Sequence, residues 1–355
     1  MRILVVTNAY PAPERPAYGI YVARQVAALE RARHEVVLAA ASEQGGGWRT
    51  VLKYARLDRR AGSAARRSRP DVVWGHYLVP TGTIARRAAK AAGVPYALTA
   101  HGTDVANAER SPRIRAATAK AVAGAGAVFA VSGELAARLE KVAGPLGDRL
   151  HVVSAGVDTD AFSDGDAAVA VAALGWESDG PRVVSVASYI ERKNLPRLLE
   201  AFARARSSWG GGSLALVGDG PQQAELEALA RGLGIAGSVR FVLDAQPAEV
   251  PRWLRACDVA CLVSTVEGFG LAPIEALACG RPVVVSREVP SGAAVTEGRT
   301  GAVCDARDVA GMAAALERAA KLEPGGEARA AALPYAVARE AARAADVLAA
   351  CVKNG

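Results

Sequence analysis

The sequence predicts an α/β protein built from two doubly wound parallel sheets, one after the other along the chain. Three observations carry that expectation. Short apolar or β-branched runs alternate with Ala-, Arg- and Leu-rich helical stretches from end to end, the order of parallel strands joined by crossover helices. The 355 residues suffice for two domains of roughly 150 residues each. The alternation breaks once, over residues 156–180, where DTDAFSDGD leads into an Ala-rich stretch.

The first domain is expected over residues 1–162. Its strands lie near 2–7, 35–40, 71–76, 95–100, 127–131 and 150–153, with helices near 19–32, 49–68, 80–92, 111–123 and 133–142. The second domain, 163–334, places strands near 182–188, 213–220, 239–244, 258–264 and 282–286. Its helices fall near 194–207, 221–233 and 307–320, and a last helix begins at Pro334. In such sheets ligands bind at the carboxyl ends of the strands, so two of them facing across a cleft would converge on one site.

Composition narrows the function. No run approaches the 18 or so apolar residues of a membrane span, and the opening MRILVVTNAY is strand-like with no secretory cleavage pattern, so a cytoplasmic protein is expected. The cysteines, at 257, 261, 279, 304 and 351, are odd in number and lack CxxC spacing, and the histidines, at 34, 76, 101 and 151, form no metal-ligand pattern. Net charge is +7 but lopsided: residues 1–162 hold 23 basic against 13 acidic groups, and the remainder 20 against 23. Residues 49–69 alone hold eight basic side chains and one acid. As a helix, Arg49, Lys53, Arg56 and Arg60 would share a face suited to anionic lipid or an anionic acceptor. Tyr54 is the single aromatic residue among those charges, too few for the interleaved stacking that nucleic-acid binding uses.

Nearly every Gly-rich or oddly polar cluster follows a predicted strand: Gly19 after the first, His101-Gly102-Thr103-Asp104 after the fourth, then Ser188 to Asn194, Gly218-Asp219-Gly220-Pro221 and Val266-Glu267-Gly268-Phe269-Gly270. The last is the most informative. Gly268, Gly270 and Pro273 fit a tight turn opening a helix, whose free amides at Gly270, Leu271 and Ala272 would make a phosphate site. Glu267 and Glu275 flank that turn, and carboxylates there accept hydrogen bonds from sugar or ribose hydroxyls.

Glu267-Gly268-Phe269-Gly270 with Glu275, together with Gly218-Asp219-Gly220-Pro221, Lys193, His101-Gly102-Thr103-Asp104 and Gly19-Ile20-Tyr21-Val22, resembles family 4 of the retaining glycosyltransferases. The resemblance covers nearly the whole chain in the right order; the E-x7-E element is specific and the others are individually weak. It implies the GT-B fold, two Rossmann-like domains with the last helix, about 335–355, returning to the first. It also implies transfer of a sugar from a nucleoside diphosphate sugar to a hydroxyl acceptor, without metal or other cofactor. Residue by residue, it implies that Glu275 binds ribose, Glu267 the donor sugar, the Gly270 and Leu271 amides the diphosphate with Lys193, and the Leu243–Asp244 backbone the base. His101 would stand beside the reacting sugar and Asp104 on the acceptor side, with Gly19, Gly218, Gly268 and Phe269 also lining the donor. The family pattern usually has a basic residue five positions before the lysine. Here it is Ser188, with Arg192 as a substitute.

The expected acceptor is a cell-surface or lipid-linked glycan, with peripheral membrane contact through residues 49–69; a secondary metabolite is the near alternative. A nucleotide-sugar epimerase and a non-catalytic nucleotide-sugar-binding protein remain open. Two patterns are discounted. Asp158-Thr159-Asp160 looks like a metal-binding DxD but offers only two short carboxylates. GDGPQQ lacks the third glycine of a dinucleotide fingerprint.

Overall fold

A computed structural model describes residues 1–43 and 46–354; Gly355, the end of the expected last helix, lies outside the described residues. The chain divides into two compact units, residues 1–156 with the C-terminal residues from Val337, and residues 157–336. The changeover therefore falls six residues earlier than the sequence suggests. Val157 donates its amide to Tyr335 O at 2.8 Å, and the buried Phe162 accepts from Arg329, so residues 157–162 are tied to the second unit. Pro334 lies inside a short 3₁₀ turn, Leu333–Tyr335, and the last helix begins only at Val337. At the return point Gly156 has φ 76°, and a Cβ there would stand 2.5 Å from Val337 Cα, so only glycine fits.

The first unit contains β1 (Arg2–Thr7), α1 (Ile20–Arg31), β2 (Glu35–Ala40), α2 (Trp48–Ser68), β3 (Val72–His76), α3 (Thr81–Ala92), β4 (Tyr96–Ala100), α4 (Thr103–Arg110), α5 (Pro112–Ala123), β5 (Ala127–Ala130), α6 (Gly133–Ala143) and β6 (Leu150–Val152). All strands are parallel, in the order β2-β1-β3-β4-β5-β6. The central strands are buried on both faces, which is why they read as unbroken apolar runs.

The second unit contains α7 (Ala167–Leu174), β7 (Arg182–Val186), α8 (Leu195–Trp209), β8 (Ser213–Val217), α9 (Gln223–Gly232), β9 (Val239–Val242), α10 (Val250–Ala256), β10 (Val259–Leu262), α11 (Leu271–Ala278), β11 (Val283–Ser286), β12 (Gly301–Cys304), α12 (Val309–Ala319) and α13 (Gly326–Ala332). Its sheet is parallel, in the order β12-β11-β10-β7-β8-β9. The last helix, α14 (Val337–Asn354), belongs to the first unit. Val337, Ala341, Ala344, Ala345, Leu348 and Cys351 join the core formed by α1 and the sheet. The sequence misses β12, a four-residue strand opened by Gly301, whose Cβ would lie 2.1 Å from Val283 O. It also misses the short helices α4, α7, α10 and α13.

Strand order locates the site. In the first sheet the winding reverses between β1 and β3, in the second between β7 and β10, and the loops leaving the carboxyl ends at such a reversal diverge to leave a crevice. Residues 188–194 follow β7 and residues 263–270 follow β10, whereas Tyr77 follows β3 and His101 follows β4.

Candidate active site

In the second unit the loops after β7 and β10 are lashed together. Asn194, in a left-handed conformation (φ 59°) after the 3₁₀ turn Glu191–Lys193, donates from Nδ2 to Val263 O at 3.1 Å and Ala306 O at 2.7 Å. Thr265 donates its amide to Arg192 O at 2.8 Å. These bonds bring Lys193 and Glu267, 74 residues apart, into a salt bridge between Nζ and Oε1. Arg192 Nη1 reaches Glu267 Oε2 at 2.9 Å, and the Ser264 hydroxyl donates to Oε1 at 2.8 Å. The two cations, neighbours in sequence, converge on one carboxylate.

Burial alone would raise the Glu267 pKa, but the charges of Lys193 and Arg192 and the hydrogen bonds outweigh it and hold the carboxyl below its ordinary value. Burial also lowers the Lys193 pKa, against the pull of Glu267. The result is an ionised, hydrogen-bonded cluster of two cations and one anion at a strand-end crevice.

Glu267 leads directly into the turn before α11. Gly270 has φ 85°, and a Cβ on it would stand 2.7 Å from Val289 Cγ1 and 3.3 Å from Ser291 Oγ. Leu271 follows as the first helical residue, with Pro273 in the first turn, so the amides of residues 270–272 lack intrahelical partners. Gly268, Gly270 and Leu271 are half-buried, while Glu275, one turn into α11, is buried. The Phe269 side chain is buried, with its ring 5.5 Å from that of Tyr335, so it anchors the turn.

The glycine turn after β8 supports the loop after β7. A Cβ on Gly218 would lie 2.2 Å from Ala187 O, and one on Gly220 2.5 Å from Tyr189 O. Gly218 is thus required for close backbone approach. Ser188 is exposed, and its carbonyl accepts from the Ile190 amide at 2.9 Å. Leu243 is half-buried and Asp244 exposed, in the loop after β9. Asp158 Oδ1 accepts from the amides of Asp160 and Ala161, each at 3.2 Å, so DTD forms a self-capped turn. Among the described residues no cluster of three or more His, Cys, Asp or Glu is arranged to hold a metal ion.

In the first unit His101 lies half-buried just past β4. Its Nε2 is 3.1 Å from Nδ1 of His76, the fully buried last residue of β3, and the two rings stack at 5.3 Å. Tyr21 and Tyr77, whose hydroxyls touch each other, hold their rings 5.0 and 4.7 Å from that of His101. Burial pushes the His101 pKa down to about 3, and desolvation lifts Tyr77 to about 12, so this aromatic cluster is uncharged at neutral pH.

Asp104, expected on the acceptor side, is taken up by backbone amides. It is buried, and its carboxylate accepts backbone amides from Leu78 (3.2 Å), His101 (3.1 Å), Gly102 (2.9 Å) and Val105 (3.0 Å). It fixes the His101 loop. Gly19 is also structural: with φ 71°, its Cβ would fall 2.3 Å from the Ala9 carbonyl. Sequence reasoning missed His76 and Ser264, and marked Asn194 only as the end of the polar run from Ser188. His76 alone carried a signal, a histidine at the end of a predicted strand neighbouring the one that precedes His101.

The basic helix differs from expectation as well. Lys53 is buried with Leu57, Ala61 and Ala65, and its Nζ donates to Asn8 O at 3.2 Å. Arg49, Arg56, Arg59 and Arg60 remain exposed, beside an apolar surface of Trp48 (68% exposed), Val51 (70%) and Leu52 (41%). Among the described residues, no helix is long and apolar enough to cross a membrane.

Residues 18–161 match the family model Glycosyltransferase Family 4, and residues 169–337 match Glycosyl transferases group 1. The chain is 32% identical over 266 residues to a D-inositol 3-phosphate glycosyltransferase of Frankia alni, covering 70% of this chain and 65% of that protein. It is 29% identical over 339 residues to a GDP-mannose-dependent alpha-(1-6)-phosphatidylinositol monomannoside mannosyltransferase of Mycolicibacterium smegmatis, covering 88% of each. In structure it is similar to Anabaena HepE in complex with UDP, with a TM-score of 0.78 at 19% identity over 99% of this chain and 100% of the other.

Proposed function

The chain belongs to the family-4 glycosyltransferases, with the two-domain GT-B fold, and from that premise we propose that it moves a sugar, with retention, from a nucleoside diphosphate sugar to a hydroxyl acceptor. The observation that carries this reading is the cluster of Lys193, Arg192, Glu267 and Ser264 at the entrance to α11. Departure of a diphosphate leaves an oxocarbenium-like sugar and concentrates negative charge on the leaving oxygens. Lys193 and the amides of Gly270 and Leu271 stabilise that charge, preorganised in a partly desolvated crevice. Arg192 takes the place of the family's second basic residue. Glu267 accepts donor-sugar hydroxyls, Glu275 the ribose hydroxyls, and the Leu243–Asp244 backbone meets the base. His101, neutral, acts at the reacting sugar as a hydrogen-bonding group. No divalent cation is needed, since lysine and helix amides carry the charge. The leaving phosphate itself helps deprotonate the acceptor.

Two relatives bear the names of inositol phosphate or phosphatidylinositol mannoside enzymes, and the first unit holds the chain's positive surplus. Both favour an anionic, lipid-linked or polyol acceptor, with the protein working from the cytoplasm at the membrane's inner face. There the exposed end of α2 is suited to an anionic interface, its apolar side chains adding to about 1 kcal/mol of attraction per basic residue.

Two measurements test this. Calorimetry should show nucleoside diphosphate binding that Glu275→Ala weakens by about 2 to 3 kcal/mol, and transfer of labelled sugar should persist in excess EDTA. Unchanged affinity in the folded variant, or turnover that needs Mg²⁺ or Mn²⁺, would defeat the assignment. For the membrane contact, Trp48→Ser/Val51→Ser/Leu52→Ser should lower sedimentation with anionic vesicles at least tenfold while leaving nucleotide binding intact. Wild-type protein that ignores such vesicles at low salt would remove the membrane from the proposal.

A further inference from the structure

We propose that His76 is a positioning residue that holds His101 in the tautomer with its proton on Nδ1, making His101 a hydrogen-bond donor to the substrate rather than a base. The inference rests on the reading of His101 as the histidine at the reacting sugar, and it begins with the surroundings of His76. That residue ends β3, is wholly buried, and packs on Trp74 with ring centroids 4.6 Å apart. Trp74 donates its indole N–H to Thr99 Oγ1 at 2.8 Å, so that hydroxyl is already engaged as an acceptor. Tyr21 and Tyr77 pair with each other, and the Asp104 carboxylate takes backbone amides only. The polar partner left to His76 is Nε2 of His101, at 3.1 Å from its Nδ1. The other ring nitrogen of His76, Nε2, is buried with no hydrogen-bond partner.

A neutral imidazole carries one proton, so the contact can be made in two ways. If His101 Nε2–H donates, His76 must carry its own proton on Nε2, leaving a buried N–H with no acceptor. If His76 Nδ1–H donates, the orphan is a bare ring lone pair. Buried donors without partners are rarer and costlier than under-used acceptors, so the second arrangement is the stable one. Neither ring is an imidazolium, because burial disfavours the charge and no carboxylate reaches either ring to balance it.

The consequence falls on His101. Its Nε2 lone pair is occupied by His76, so its proton sits on Nδ1, which makes no hydrogen bond among the described residues. The exposed edge of the ring can donate to a sugar hydroxyl or to an oxygen gaining charge. It has no lone pair with which to take a proton from an acceptor hydroxyl. A front-face mechanism in which the leaving phosphate receives that proton uses such a donor.

Long-range ¹H–¹⁵N correlation on the full chain with labelled histidine reads the tautomer directly. The wild type should show His101 protonated at Nδ1, and His76→Leu should shift His101 towards the Nε2–H form. His76→Gln, which keeps an N–H donor, should restore the wild-type pattern. In the transfer assay His76→Leu should lower kcat about 10- to 100-fold, the range for residues that orient a functional group, with nucleotide affinity unchanged and partial recovery in His76→Gln. A wild-type His101 protonated at Nε2 overturns the proposal even if His76→Leu does not fold, and so does a tautomer that ignores the substitution. If the tautomer follows His76 while kcat does not move, the placement of His101 at the reacting sugar fails instead.

Discussion

Lys193→Ala should lower transfer by about 10²- to 10³-fold, the loss that follows removal of one preorganised group stabilising a developing anion. It should also destabilise the second unit. The Glu267 side chain is 8% exposed, and its closer partner is the Lys193 ammonium, itself 14% exposed; the remaining cation, Arg192, is 40% exposed and solvent-screened. Removing one partner of a buried pair leaves an uncompensated charge, typically at a cost of about 3 to 5 kcal/mol. The partial solvent access of Arg192 and the Ser264 hydrogen bond put this case at the lower end.

The two effects can be separated. Lys193→Met/Glu267→Gln removes both charges, so its denaturant midpoint should return towards wild type, because a neutral pair leaves no charge stranded. Its turnover should stay as low as that of Lys193→Ala. If activity recovered along with stability, the lysine would be a structural counter-ion and the leaving diphosphate would be held by the helix amides alone. Glu267→Gln by itself should keep nucleotide affinity and lose transfer.

Much of this site is legible in the sequence, for a physical reason. Strands and helices announce themselves by local patterns, and in a parallel α/β sheet ligand-binding loops lie at strand ends, so Glu267, Lys193, Gly270 and His101 could be singled out from chain order. What sequence cannot supply is strand order. That β10 returns beside β7 is what joins Lys193 to Glu267, and that β4 lies beside β3 is what joins His101 to His76. Helix periodicity likewise places Lys53 with Arg49, Arg56 and Arg60, but the boundary of the buried stripe falls between them, and Lys53 turns inward. Asp104 misled for a related reason: a short carboxylate after a strand reads as a ligand group, whereas here the sharp turn at Gly102 brings the His101, Gly102 and Val105 amides onto it and Leu78, after β3, adds a fourth. Gly19 and Gly218 stand out in the sequence as glycines at strand ends, and what they make room for is neighbouring backbone.

The stability of the protein should fall steeply as pH drops from about 6.5 towards 4.5, with much of the loss traceable to His76 and His101. Both pKa values are depressed by burial, His101 to about 3 and His76 well below its ordinary value. In the unfolded chain each histidine takes up a proton near pH 6.5, whereas the folded chain does not until far lower. The unfolded state therefore binds more protons through this window, and stability declines with falling pH by at most about 1.4 kcal/mol per unit for each residue. Between pH 6 and 4.5 the pair would cost about 3 to 4 kcal/mol, against a total of about 5 to 15 for a typical domain. Two other buried carboxyls bear on the same limb with opposite signs. Glu267, held below its ordinary pKa, adds to the loss only as pH falls through the carboxylate range. Asp104, raised by burial, binds its proton more readily in the folded state and opposes the loss at the acid end. Denaturant midpoints at pH 6.5, 5.5 and 4.5 should trace this decline, and a His76→Gln/His101→Gln variant, whatever its stability at neutral pH, should show a much flatter slope. An acid slope identical to wild type would mean that neither histidine is neutral in the folded protein, and the uncharged aromatic cluster around His101 would have to be redrawn as a charged one.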